Sequence, residues 1–112
     1  MIRTNETAEV TLGGQRRTLD LSADTWKAVC ERLNRPFAEL PLIFVGPGAL
    51  KAVCVLIHQA LITYDKSVGR PDSVTEYQVM DMILSNMEEA AEIGQTILKV
   101  AGSLTDPVVG LN

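Results

Sequence analysis

Residues Glu9–Leu33, EVTLGGQRRTLDLSADTWKAVCERL, leave this chain little freedom in how it begins. Two short runs with apolar residues at alternate positions flank Gly13-Gly14. A two-residue hairpin turn needs positive φ, which glycine adopts without steric cost. Alternation puts Val10 and Leu12 on one face of the first strand. It puts Arg17, Leu19 and Leu21 on one face of the second, with Arg17 near the exposed turn. Ser22 follows at once, and its hydroxyl is placed to accept from the amide of Asp24 or Thr25 as a helix N-cap. Asp24 adds negative charge where the helix dipole favours it. Trp26, Val29, Cys30, Leu33 and Phe37 then recur at i, i+3, i+4, i+7 and i+11, one apolar helical face. Pro36 disfavours helical geometry at Arg35, so the helix ends near Asn34. An isolated hairpin is marginal in water. This ribbon must therefore lie on helices or pair with a strand of another subunit.

Everything downstream reads as helix. Pro36–Gly48 is punctuated by three prolines yet carries Phe37, Leu40, Leu42, Ile43, Phe44 and Val45. It is either a connector packed on the core or an exposed apolar patch that docks a partner. A second helix is expected from Pro47–Ala49 to about Tyr64, with Leu50, Val53, Cys54, Ile57 and Leu61 as its main stripe. Val55, Leu56, Ala60 and Ile62 cover much of its remaining surface, as in a helix central to a bundle or shared with another chain. Asp65–Asp72 is a polar loop. Ser73 and Glu76 have the spacing of a capping box for a third helix, whose apolar face is Tyr77, Met80, Ile83, Leu84 and Met87. Asn86, followed by Glu88 and Glu89, marks a break and a new helix start. The last helix carries Ala90, Ile93, Gly94, Ile97, Leu98, Val100, Ala101 and Leu104 around half its circumference. The expected architecture is α+β and mostly helical: an N-terminal β-hairpin followed by a bundle of about four α-helices. Residues 9–102 form the one domain, between a flexible N-terminus at 1–8 and a flexible C-terminal tail at 103–112.

Composition narrows the function classes. The chain has 112 residues, 46% of them hydrophobic, and a net charge of −4. That is enough chain for one core without staples. Nucleic-acid binding needs cations that displace counterions from phosphates; the tightest basic pair here is Arg16-Arg17, so no nucleic acid is expected. Aromatics are few, which makes the core aliphatic. Ala49–Ile62 is too short and too polar to span a bilayer, and no signal peptide is read at the N-terminus, so a cytoplasmic protein is expected.

Catalytic and metal-binding patterns are thin. Cys54 and His58 could share a helix face, but a cysteine nucleophile also needs its base oriented, and only Asp65 is near in sequence. Cys30 and Cys54 read as buried, reduced thiols. The sequence has no CxxC, HxxxH or DxDxDG motif, and GPGALK lacks the glycines and following hydroxyl of a phosphate loop. Glu88, Glu89 and Glu92 read as a solvated face, or as a docking surface for a basic partner. No catalytic residue, cofactor or metal ligand is assigned. The surplus is apolar helix surface, which suits binding another apolar helix. The candidate partner-binding positions are Phe44, Val55, Ile62, Met82, Ile93, Val100 and Leu104.

The run VTLGGQRRTLDLSADTWKAVCERLNRPFAEL resembles the opening of the small tail assembly chaperones of long-tailed phages, prophages and gene transfer agents. The order of elements behind it is similar too: an apolar helix at Leu50–Tyr64, a capped helix at Ser73–Glu76 and a last apolar helix at Glu88–Ala101. The resemblance covers residues 9–102. It implies a non-catalytic protein that binds the hydrophobic, helical tape measure protein and keeps it soluble until the tail tube closes. It also implies self-association into a homo-oligomer, and residence in the host cytoplasm if the chain is phage-encoded. The alternative is another small virion connector protein or a bacterial adaptor dimer.

Overall fold

The structure, a computed structural model, describes residues 7–71 and 74–110, with the backbone alone over 101–110. Strand β1 (Thr7–Leu12) pairs antiparallel with β2 (Gln15–Asp20), and Leu12 faces Gln15 across the turn. Gly13 and Gly14 have φ of 65° and 79°, the two positive values that a tight hairpin turn requires. Helix α1 (Ala23–Leu33) follows, then a 3-10 turn (Phe37–Glu39) and the single-turn helix α2 (Leu40–Ile43). The long helices are α3 (Ala49–Ser67) and α5 (Met87–Gly110), with α4 (Glu76–Ser85) between them. The protein is α+β and mostly helical, a hairpin followed by helices, as the patterning predicts.

The ribbon buries one face. Val10, Leu12, Leu19 and Leu21 join Trp26, Val29 and Leu40 in one core with α3, α4 and α5. Each such aliphatic side chain contributes roughly 1.5–3 kcal/mol on burial. Helix α3 is the centre of that core: it packs on α1, β2 and α4, while α5 packs beside β1. Four successive residues of α3, Cys54, Val55, Leu56 and Ile57, are buried. At 100° per residue they cover most of the circumference, so α3 is enclosed on nearly every side.

Several local signals resolve differently from the sequence reading. Ser22 occupies the N-cap of α1 in an extended conformation, but its hydroxyl makes no capping bond. Asp20 organises this corner instead. Its Oδ1 accepts from the Ser22 amide at 3.0 Å, and its carbonyl accepts from Thr25 Oγ1 at 2.6 Å. Trp26 Nε1 donates to the Leu21 carbonyl at 3.0 Å. Thr25 is fully enclosed, so its hydroxyl must find an internal acceptor. Asn34 ends α1 in the left-handed region, one residue before the position that Pro36 disfavours for helix.

Helix α4 begins at Glu76, and Thr75 is its cap. Gln78 N donates to Thr75 Oγ1 at 3.1 Å, and Thr75 N donates to Gln78 Oε1 at 2.8 Å. The segment SVTEYQ contains two overlapping capping-box spacings, and the second is used; Ser73 lies outside the described residues. Asn86 caps α5 as expected, its Oδ1 accepting from the amides of Glu88 and Glu89 at 3.1 and 3.2 Å. The flexible tail expected from 103 is instead helical backbone to Gly110. The apolar spacing 93, 97, 100, 104, 108 runs along this segment. The flexible N-terminus expected at 1–8 overlaps β1 at Thr7 and Ala8, and the rest of it lies outside the described residues.

The hairpin turn is seated by α4 and α5. Gly13 N and Gly14 N donate to the two carboxylate oxygens of Glu89, at 2.9 and 3.2 Å. Arg17 donates from Nε to the Leu12 carbonyl at 2.9 Å, with Nη2 at 3.8 Å from Met82 Sδ. A Cβ at Gly13 would overlap Met82 Sδ, whereas one at Gly14 would meet open space. Both positions carry the left-handed penalty for a non-glycine residue, about 1–2 kcal/mol. Gly13→Ala is therefore expected to lower stability more than Gly14→Ala in urea titrations. Met82→Ala should recover part of the excess in a double-mutant cycle, and equal losses would remove the contact with Met82 as the cause. Glu89→Ala is expected to cost about 0.5–1.5 kcal/mol by the same measurement, since the freed amides can turn to water.

Candidate partner-binding surface

The seven candidate positions divide. Val55 is 2% exposed and Ile93 1%, so both belong to the core of the single chain and cannot meet a partner without unfolding it. Their outward assignment fails because α3 and α5 are covered by β2 and β1, a contact that helical periodicity does not reveal. Phe44, Met82 and Val100 are half-buried and pack against the core from its edge. Ile62 is half-buried on α3. Leu104 is on α5, beyond the described side chains.

The large apolar side chains at the surface are others. On the connector, Leu42 is 72% exposed and Val45 82%, with Leu50 and Phe37 about half exposed. Phe37 leaves the α1 stripe for the 3-10 turn, where its ring meets Trp26 edge-on at 5.8 Å. Beside the connector, a cleft of about 560 Å³ is lined by Leu33, Ile43 and Pro47, with Arg35, Glu39 and Lys51 among its polar residues. Connector packing and connector exposure thus coexist: Leu40 is buried while Leu42 and Val45 face water.

The second apolar surface lies on α4 and α5. Val79 and Ile83 form the buried face of α4, and Tyr77 is roughly 160° around the helix from Val79. Tyr77 and Leu84, seven residues apart, form an exposed line. On α5, Met87 and Leu98 are exposed eleven residues apart, with Ala91 and Gly94 on the same line. The sequence pattern places Tyr77, Leu84 and Met87 on the core face, and the structure turns them outward. Val79 and Ile83, spaced i, i+4, form the core face instead.

A polar cluster closes the side of α3. Arg32 Nη2 reaches Glu76 Oε1 at 2.7 Å, and Arg32 Nη1 donates to Gln59 Oε1 at 3.0 Å. Arg32 Nη2 is also 3.1 Å from His58 Nδ1, and His58 Nε2 is 3.2 Å from the Val74 carbonyl. Arginine only donates and a carbonyl only accepts, so these contacts assign the ring proton to Nε2. Lys51 Nζ lies 3.6 Å from the second Glu76 oxygen. The cluster ties α1, α3 and α4 together. It also occupies both nitrogens of the histidine that the Cys54 reading needs as a base.

Burial pushes the Cys54 thiol above its ordinary value; Glu76 adds to the rise, and Lys51 opposes it. Burial likewise raises Cys30, with Glu31 adding to it. A raised thiol is a weaker source of thiolate, the nucleophilic form. Glu89 is no free member of a solvated acidic face, since it holds the hairpin turn. Among the described residues, no three metal-ligating side chains converge, and no helix is long and apolar enough to cross a membrane. Compared with protein-family models, curated proteins and solved structures, the chain matches none.

In the folded protein, Cys54 should be alkylated by iodoacetamide at pH 8 far more slowly than in the urea-unfolded chain, with Cys30 intermediate. Cys54 labelling as fast as in the unfolded chain would contradict this. Because the folded thiol values lie above the unfolded ones, their stabilisation is complete below the ordinary thiol range. It is lost as pH rises through the raised values. Alkaline denaturation should accordingly shift upward in a Cys30→Ala/Cys54→Ala protein that folds at neutral pH.

Proposed function

We propose that this protein is a binding protein without chemistry that covers an apolar helix of a partner, in the manner of a tail assembly chaperone acting on a tape measure protein. The observation that carries the reading is the pair of exposed apolar lines, Tyr77–Leu84 on α4 and Met87–Leu98 on α5. Such lines match the i, i+3/i+4, i+7 anchors by which one helix receives another. Methionine at Met87, and at Met80 and Met82 beside the core, supplies adaptable contact for more than one helical register. A net charge of −4 favours the solubility of a chain that exposes this much apolar surface. The order of elements, hairpin then capped and apolar helices, supports the choice of partner through the family resemblance. Self-association and action in the host cytoplasm belong to the same reading.

Co-expression with a tape measure protein tests it. The expected result is a soluble complex that co-elutes on size exclusion. Leu84→Asp and Leu98→Asp should melt as the parent does and lose the complex. Ile93→Asp should fail to fold, because it buries a charge at a cost of several kcal/mol. A tape measure protein that stays insoluble beside the folded parent chain would sink the reading.

A further inference from the structure

Among the described residues the β-ribbon has two strands, so each strand has an outer edge. The two-residue turn makes Leu12–Gln15 the closing hydrogen-bonded pair, and alternation makes Val10–Arg17 and Ala8–Leu19 hydrogen-bonded pairs as well. The N–H and C=O groups of Arg16, Thr18 and Asp20 therefore point away from β1. The Asp20 carbonyl accepts from Thr25. The outward backbone groups of Arg16 and Thr18 have no partner among the described residues. A cleft of about 540 Å³ is lined by Arg16 and Thr18 together with Leu61, Tyr64, Asp65 and Arg70.

We propose that β2 pairs antiparallel with β2 of a second copy of this chain, about a two-fold axis at Thr18. The register follows from parity and charge. Outward groups must meet outward groups, which pairs Arg16 with Asp20 of the partner subunit and Thr18 with its counterpart. Thr18 paired with its counterpart gives two main-chain hydrogen bonds, and the Asp20 amides donating to the Arg16 carbonyls give two more, about four in all. Opposite charges and threonine pairs directly across a ladder are both favourable. Arg16 is well exposed, and its contacts are with Thr11 Oγ1 at 3.1 Å and Glu9 Oε1 at 3.4 Å. Both are surface contacts that it can exchange for a carboxylate across the new ladder. The other edge is a poorer seam: self-pairing of β1 about its central outward residue would set Glu9 against Glu9. A ribbon that is marginal as two strands becomes a four-stranded sheet.

The pairing deepens the self-association included in the reading above. Its test uses this chain alone, so its failure and the failure of tape measure binding are separate results. Sedimentation velocity of the parent chain over micromolar to hundreds of micromolar concentrations should show a species of twice the chain mass. Thr18→Pro removes an outward N–H that the ribbon does not use, and should abolish the dimer while circular dichroism stays that of the parent. Arg16→Asp alone and Asp20→Arg alone should each be monomeric, because each sets like charges across the axis. Mixed together they should recover a dimer. The aspartate introduced in one chain then faces the arginine introduced in the other, and the native Arg16 and Asp20 face each other at the second pair. A parent chain that sediments as a monomer throughout would overturn the proposal. So would a Thr18→Pro dimer, or a folded mixture of the two charge variants that stays monomeric.

Discussion

A nineteen-residue helix, α3, that is apolar on almost every side must be covered on almost every side, and the rest of the chain is arranged to do this. No single neighbour is wide enough. Helix α1 takes one arc, β2 a second and α4 a third. Two polar residues of α3, His58 and Gln59, sit at the seam between α1 and α4, where Arg32 meets both of them and Glu76. The capping choice at α4 belongs to the same constraint. With Thr75 and Gln78 forming the box, Glu76 is free to bridge Arg32 and Lys51. Had Ser73 been the cap, Glu76 would have been turned back toward the start of its own helix.

The ribbon is the part of this cover that could not stand alone, and it is fixed at both ends. At the α1 end, Thr25 and Trp26 donate to the carbonyls of Asp20 and Leu21. At the turn end, the Glu89 carboxylate accepts from two successive glycine amides. A carboxylate suits this position because the turn presents two parallel donors and no side chain, and charge-assisted hydrogen bonds are the stronger kind. The link joins residues more than seventy positions apart, so the hairpin is locked only after α5 is in place. Such a contact raises contact order and slows the final docking step relative to the local helices.

What could be read in the sequence, and what could not, follows from this arrangement. Gly13-Gly14, Asn34 before Pro36, and Asn86 before two glutamates act through a few neighbouring residues, and each behaves as its chemistry dictates. Ser22 holds the N-cap position without a side-chain capping bond, and the contact made there is from its own amide to Asp20. The segment contains two valid capping-box spacings, Ser73 to Glu76 and Thr75 to Gln78, and Thr75 is the residue that caps α4. An outward assignment of Val55 and Ile93 assumes that each helix has one neighbour; α3 and α5 each also carry a strand. Conversely, Tyr77 and Leu84 are apolar at helical spacing yet exposed, since α4 meets its neighbours through Val79 and Ile83. Periodicity reports that a face is apolar, and only tertiary contacts report whether the protein itself covers it.

The surfaces left open are distinct in kind. The α4–α5 lines are apolar side chains with no exposed backbone, suited to a helical partner of variable register. The β2 edge is unpaired backbone flanked by one cation and one anion in self-complementary order, suited to a strand of fixed register. Because α5 packs beside β1 and not along β2, a strand added to β2 would not occupy the place of α5. A two-fold dimer through β2 would thus carry two copies of the apolar lines. For a long helical partner, a second site on the same particle raises avidity through effective concentration without any new contact. Under the proposed function, an individually weak apolar line would then suffice to hold such a partner in solution while still allowing it to be released stepwise.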